Sequence, residues 1–206
     1  MSDIRLLAGQ KMTIAGQNGS GKSVFASAMA RSMDRVLVYD PKWDPEAEIP
    51  NCTVVTTARD AIRALPGRVL YRPDPVEGGQ IVDRFDEICR KIIQMGGHHG
   101  IVVHELTNLG TAFNIGPWHR ACITQGRSLQ ISMVEVTQRP RNIPIVVLSE
   151  AQHLVCFTLL NPDDRDVMAG YMGQAIRPAP LPLDFRWWYR GPDLRLRLHS
   201  PLSLAA

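Results

Sequence analysis

Lysine is scarce in this chain. Of 23 basic residues only Lys11, Lys22, Lys42 and Lys91 are lysine; the rest are arginine. A lysine kept in an unusual neighbourhood is therefore informative, and Lys22 is one. Cysteine is scarce too. Cys52, Cys89, Cys122 and Cys156 stand far apart, form no Cys-x-x-Cys pair, and each lies in or beside an apolar stretch. They read as reduced core residues. His98 and His99, with His104 five residues on, read as loop histidines ahead of a strand, because no cysteine or second spaced cluster supports a metal. No run approaches the roughly 18 apolar residues of a membrane span. The N-terminus has no basic-then-apolar signal pattern, so the expected location is the cytosol or something that assembles there. There is no internal repeat and no low-complexity tract. The net charge of +3 permits contact with nucleic acid without demanding it.

What is present suits one domain spanning residues 1–206, with a core over about 10–175 and a hairpin over about 184–200. At 45% hydrophobic residues, the chain can bury a sizeable core. Apolar runs predict strands at 11–15, 35–39, 52–55, 69–72 (ended by Pro73 and Pro75), 101–103, 130–137 and 153–160. Helical spacing predicts helices at 22–33, 59–65 after Thr57, 79–95, 117–126 and, behind the Asn161-Pro162-Asp163 cap, 161–172. Residues 144–149 read as a connecting segment and 110–118 as a Gly-rich, uncharged loop. In the tail, Phe185, Trp187 and Tyr189 alternate with Arg186, Trp188 and Arg190; after Gly191-Pro192-Asp193, Leu194, Leu196 and Leu198 alternate with Arg195, Arg197 and His199. That is strand–turn–strand, an edge hairpin with its aromatic rings and leucines on the core. Strands alternating with helices make the fold α/β, a mostly parallel central sheet flanked by helices on both faces, with a C-terminal β-hairpin.

The strongest motif is Gly16-Gln17-Asn18-Gly19-Ser20-Gly21-Lys22-Ser23, which fits G-x-x-x-x-G-K-[ST] without departure. Its glycines let backbone N–H groups wrap a phosphate, and the helix that follows aims its positive end at the same anion. Lys22 is expected on the β- and γ-phosphates of ATP and the Ser23 hydroxyl on Mg²⁺. In a phosphate-loop ATPase a second apolar strand ends in a metal-directed carboxylate, often followed by a Glu that polarises the attacking water. Here Ile101-Val102-Val103 is that strand, His104 stands where the Asp is expected and Glu105 where the Glu is. A neutral histidine can accept a hydrogen bond from a metal-bound water but carries no negative charge. Asp40, ending the neighbouring strand, is a candidate to supply it. Gln138, at the end of the strand over 130–137, can bond the γ-phosphate or the attacking water.

VLVYDPKWD, IVVHELTNL and QGRSLQISMVEVTQRPRNIPIVVLSEAQHLVCFTL, taken together, resemble the FtsK–HerA superfamily of DNA-pumping ATPases over about residues 10–175. The length is close to that of the superfamily's small viral genome-packaging members. The resemblance implies a RecA-like (ASCE) P-loop NTPase fold and a homo-oligomeric ring, pentamer or hexamer, around double-stranded DNA. It implies ATP between subunits and an arginine reaching in from the neighbour, for which Arg127 is the first candidate, ahead of Arg139 and Arg141. It also implies capsid or portal proteins as partners, in the host cytoplasm or at the packaging vertex of a virion. His104 departs from the family pattern. The loop Arg139–Asn142, next to Gln138, and the loop over 110–118 are candidates to touch DNA. Other readings stay open: a nucleotide-driven switch or scaffold with weak hydrolysis, a conjugation or secretion ATPase of the same superfamily, or a small-molecule kinase. A guanine-specific enzyme is disfavoured because Asn-Lys-x-Asp is missing.

Overall fold

The computed structural model describes residues 4–74 and 80–202. Nine strands form one sheet in the order β11-β10-β9-β1-β8-β5-β2-β4-β3. β1 (Lys11–Ala15), β2 (Val36–Tyr39), β3 (Thr53–Val55), β4 (Arg68–Tyr71), β5 (His99–Val103), β8 (Ile131–Thr137) and β9 (His153–Cys156) run parallel. β10 (Trp187–Arg190) and β11 (Leu196–His199) close one edge antiparallel. β6 (Gly110–Thr111) and β7 (Asn114–Ile115) form a separate short hairpin. The inner strands are apolar runs buried along their whole length, as parallel strands covered on both faces must be.

Helix α1 (Lys22–Arg31) covers one face. α2 (Ala58–Ala64), α3 (Ile81–Met95), α4 (Pro117–Leu129), α5 (Ile145–Ser149) and α6 (Pro162–Met172) cover the other. Alternation along each strand divides the core. Met12 and Ile14 pack toward Phe25, Ala26 and Met29 of α1, whereas Ala15, Leu37 and Ile101 pack toward Phe85, Ile88 and Ile92 of α3. Register then sets the working edge. Ala15 lies opposite Thr137 and Tyr39 opposite Val103, so Gly16, Asp40, His104 and Gln138 all emerge side by side at the C-terminal ends of the strands. That edge is where open parallel sheets bind ligands.

Several expectations need correction. His99 is not in a loop: it opens β5 and is buried. Residues 145–149 form α5, started by Pro144 rather than merely connected by it. The loop over 110–118 contains the β6–β7 hairpin, with Phe113 exposed at its tip, and then the first residues of α4. β9 stops at Cys156, because the backbone beyond it turns to the segment after β1: Gln17 N–H donates to Thr158 O at 2.8 Å. Of the alternating aromatic rings and leucines of the tail only Trp187 and Tyr189 are buried; Phe185 lies before the strand and half its surface is exposed, and Leu194 sits in the turn at 65% exposure. Both have positive φ, which breaks the two-residue alternation. Helix α3 begins at Ile81; the expected start at Gly79, and Pro75, lie outside the described residues. Among the described residues no helix is long and apolar enough to cross a membrane.

Trp187 joins the hairpin to α1: its ring meets Phe25 edge-on at 4.9 Å and stacks on His199 at 4.3 Å. Trp187→Ala is expected to cost about 3–5 kcal/mol in urea unfolding. Leu194→Ala should change stability by less than about 0.5 kcal/mol. Equal effects would mean the hairpin is not held through Trp187.

Candidate functional site

The loop after β1 is shaped for an anion before any ligand arrives. Gly21 has φ 99° and Gly19 φ 73°, left-handed values that side chains rarely adopt. Gly16 is needed for a different reason: a Cβ there would lie 2.7 Å from Phe157 Cβ and from Ser20 Oγ. Gly21 caps α1 with no side-chain bond, and the first turn holds no acidic residue. The first N–H groups of the helix are thus left for a ligand, with no acidic side chain in that turn to compete for them. Lys22 is buried, its Nζ resting on Gln17 O at 2.6 Å. Burial pushes its ammonium down to about 8, against the opposing pull of Glu105.

A cleft of about 320 Å³ opens over this loop. The loop's Asn18, Gly19, Gly21, Lys22 and Ser23 line it, together with Asp40 from the end of β2, His104 from the end of β5 and Gln138 from the end of β8. Glu105 is buried just behind and is held from three directions. Gln138 Nε2 donates to Oε2 at 2.9 Å, Lys42 Nζ donates to the same oxygen at 2.6 Å, and Thr107 Oγ1 donates to Oε1 at 2.5 Å. A carboxylate with both oxygens engaged by well-placed donors is a positioned group.

The other expected residues fall into three places. Asp40 is fully buried and forms an ion pair with Arg72 Nε at 2.9 Å. His104 is buried beside it with no partner for either ring nitrogen among the described atoms, and burial lowers its basicity, so it is neutral at pH 7. Arg139 and Arg141 sit in the turn after Gln138, their guanidiniums paired with Asp164 and Asp163 at the start of α6. Arg127 is elsewhere. It lies in the last turn of α4 against Gly9, just before β1, at the end of the strands opposite the cleft.

Among the residues that escaped the sequence reading are Lys42 and Phe185, which line the cleft, and Arg72, which pairs with Asp40 beside it. Lys42 had a signal, being one of only four lysines and sitting two residues past Asp40. Arg72 had none, since its role comes from the pairing of β2 with β4. Phe185 was assigned to the core, yet it lines the cleft.

No protein-family model matches the chain, and no curated protein sequence matches it. Solved structures do. The genome packaging NTPase B204 from Sulfolobus turreted icosahedral virus 2, in complex with AMP, superposes with a TM-score of 0.74 at 12% identity, over 94% of this chain and 98% of that one. B204 from Sulfolobus turreted icosahedral virus, described as a DNA-packaging ATPase, gives 0.68 at 15% identity, over 96% and 100%. The pCW3 conjugation coupling protein TcpA gives 0.59 at 12% identity, over 90% of this chain and 58% of that one. These neighbours are P-loop ATPases of the FtsK–HerA type, and the likeness at such identities is one of fold.

Lys22 offers a test of the buried loop without any ligand. Its ordinary value is 10.5 and the folded one about 8, so between these the unfolded chain holds a proton that the folded chain has lost. Folding stability rises with pH across that window, and below it the burial cost is fully present. Lys22→Met should therefore raise the urea midpoint at pH 7, with the gap to the wild type narrowing by pH 10. A gap independent of pH would mean that the ammonium is not desolvated.

Proposed function

We propose that the chain binds ATP on Gly16–Ser23 and hydrolyses it, and that hydrolysis drives double-stranded DNA through a homo-oligomeric ring. The observation that carries this reading is the meeting of Lys22, Glu105 and Gln138 around one cleft, from three strand ends. Backbone N–H groups and Lys22 hold the phosphates, and Glu105 takes the proton of the attacking water. Gln138 bonds that carboxylate and lies next to Arg139, which links the state of the site to the turn carrying Arg139 and Arg141. The solved neighbours support nucleotide binding, since B204 was obtained with AMP, AMPPCP and ATP-γS. B204 of both viruses is a genome- or DNA-packaging enzyme, which favours that use over the conjugation role of TcpA.

Mg²⁺ fits the residues present. Among the described residues no group of three or more His, Cys, Asp or Glu could hold a metal. An ion carried in on the nucleotide needs only Ser23 directly and acceptors for its waters. His104, buried, neutral and without a partner for its ring nitrogens, is such an acceptor. Asp40 adds negative charge nearby, although its carboxylate is shared with Arg72. When bound, the ion would neutralise phosphate charge.

A ring would supply what the cleft lacks among the described residues. Among the described residues no arginine lines it, and Arg127 lies at the opposite end of the strands, too far from this cleft to serve it but available to a neighbour's. DNA phosphates would compete with Asp163 and Asp164 for Arg141 and Arg139. Capsid or portal proteins are the expected further partners of such a ring. The Lys42–Glu105 ion pair favours a second reading, in which the isolated chain binds ATP and turns it over slowly.

Steady-state ATP hydrolysis with Mg²⁺ separates the two. Long double-stranded DNA should stimulate turnover, with DNA binding that weakens steeply as salt rises. Glu105→Gln should keep ATP binding and lose about 100-fold or more in kcat. Turnover that DNA leaves unchanged at ring-forming concentrations would reject the motor and leave the switch.

A further inference from the structure

The cleft has an aromatic wall that phosphate chemistry does not use. Phe185 lines it together with Gly21 and Val24, and is 51% exposed, although Trp187 two residues on is buried. A Cβ built on Gly21 would meet Phe185 Cδ1 and Phe157 Cε1, each at 3.4 Å, so the ring lies directly against the loop. The backbone of Phe185 has φ 64°, an uncommon value for a bulky residue. Its surroundings hold it there. Asp184 accepts from Arg186 N at 3.2 Å and Nε at 2.7 Å, and Thr158 Oγ1 donates to Pro182 O at 2.8 Å. A residue in such a conformation persists where the structure around it imposes it, and such residues cluster at ligand sites.

The sheet also gives the cleft a direction. Lys42, Gln138 and Glu105, which suit a terminal phosphate and an attacking water, follow β2, β8 and β5, all on one side of β1. Phe185 leads into β10, beyond β9 on the other side of β1. A nucleotide laid along the loop with its terminal phosphate toward Glu105 therefore places its base on the Phe185 side.

We infer that Phe185 is the base-stacking residue of this site, its ring covering one face of the purine of the bound nucleotide. The inference rests on the nucleotide reading above and adds to it the subsite for the base. A half-exposed aromatic ring is a sequence-tolerant platform for a nucleobase and contributes through its face alone.

Calorimetric titration of the full chain with ATP and, separately, with inorganic tripolyphosphate isolates the base. Phe185→Ala should weaken ATP about tenfold and leave tripolyphosphate unchanged. Phe185→Tyr should restore ATP binding, and far-UV circular dichroism of each variant checks that it folds. Equal weakening of both ligands would overturn the inference, making Phe185 a support for the loop. ATP affinity unchanged in Phe185→Ala would overturn it too, placing the base elsewhere. Lys22→Ala is the control: if the wild type binds neither ligand, or binds both without regard to Lys22, the nucleotide reading itself fails and takes the base subsite with it.

Discussion

A loop that grips an anion with its backbone must be held still at its root, and here β1 is clamped on both sides. Gly16 N–H donates to Thr137 O at 3.2 Å and Gln17 N–H to Thr158 O at 2.8 Å, so the first two residues of the loop are tied to the strand-ends on either side. Phe157 closes the space a side chain at Gly16 would need. The rest of the site inherits this placement. β8 delivers Gln138 because it pairs with β1, β5 delivers Glu105 because it pairs with β8, and β2 delivers Asp40 and Lys42 because it pairs with β5. A one-residue slip in any of these ladders would turn the residue that follows the strand away from the cleft.

Glu105 shows what this convergence achieves and what it leaves to be done. A carboxylate this buried needs partners, and it has three. They hold it in place, but they also occupy the oxygens that a water would use. Of the three donors, Lys42 alone is a full charge on a long and half-exposed stem, and so is the one most readily drawn away. A triphosphate on the loop would present several negative charges to it within the same cleft. Gln138 and Thr107 would then remain as the neutral bonds that keep the carboxylate oriented. On the proposed reading, the ion pair would give way to the phosphates of the nucleotide.

Legibility in the sequence followed the range of the interactions. The loop over 16–23 was plain, since its glycines, lysine and serine act within eight consecutive residues. The parallel sheet was plain too, because strands buried on both faces leave long apolar runs. Lys42 and Glu105 are 63 residues apart and meet only because β2 and β5 are neighbours, which no local pattern states. The tail misled for the opposite reason. Its two-residue alternation was real for Trp187 and Tyr189, but extending it by one step to Phe185 assumed extended backbone where φ is positive. His99 misled through composition: two histidines after Gly96-Gly97 suggested a loop, whereas His99 lies in the strand, with its Nδ1 3.1 Å from Gly96 O.

His104 is then less of an anomaly than its position suggests. It and Asp40 are close enough that the Asp40 charge acts on the imidazole, partly opposing the effect of burial. Asp40 is itself fully buried and keeps its charge company with Arg72. A carboxylate at position 104 would add a further buried negative charge next to Asp40, and the guanidinium of Arg72, already shared with Glu48, would have that charge to balance as well. Like charges that close cannot both stay ionised without cost. With a neutral imidazole there, Asp40 meets no second carboxylate at position 104, and Arg72 bridges it to Glu48, while Asp44 and Glu46 line the same cleft farther along the chain after β2. On the proposed reading, Asp40 at the end of β2 would supply the carboxylate expected at the end of the neighbouring β5, and a neutral imidazole at position 104 is electrostatically consistent with that arrangement.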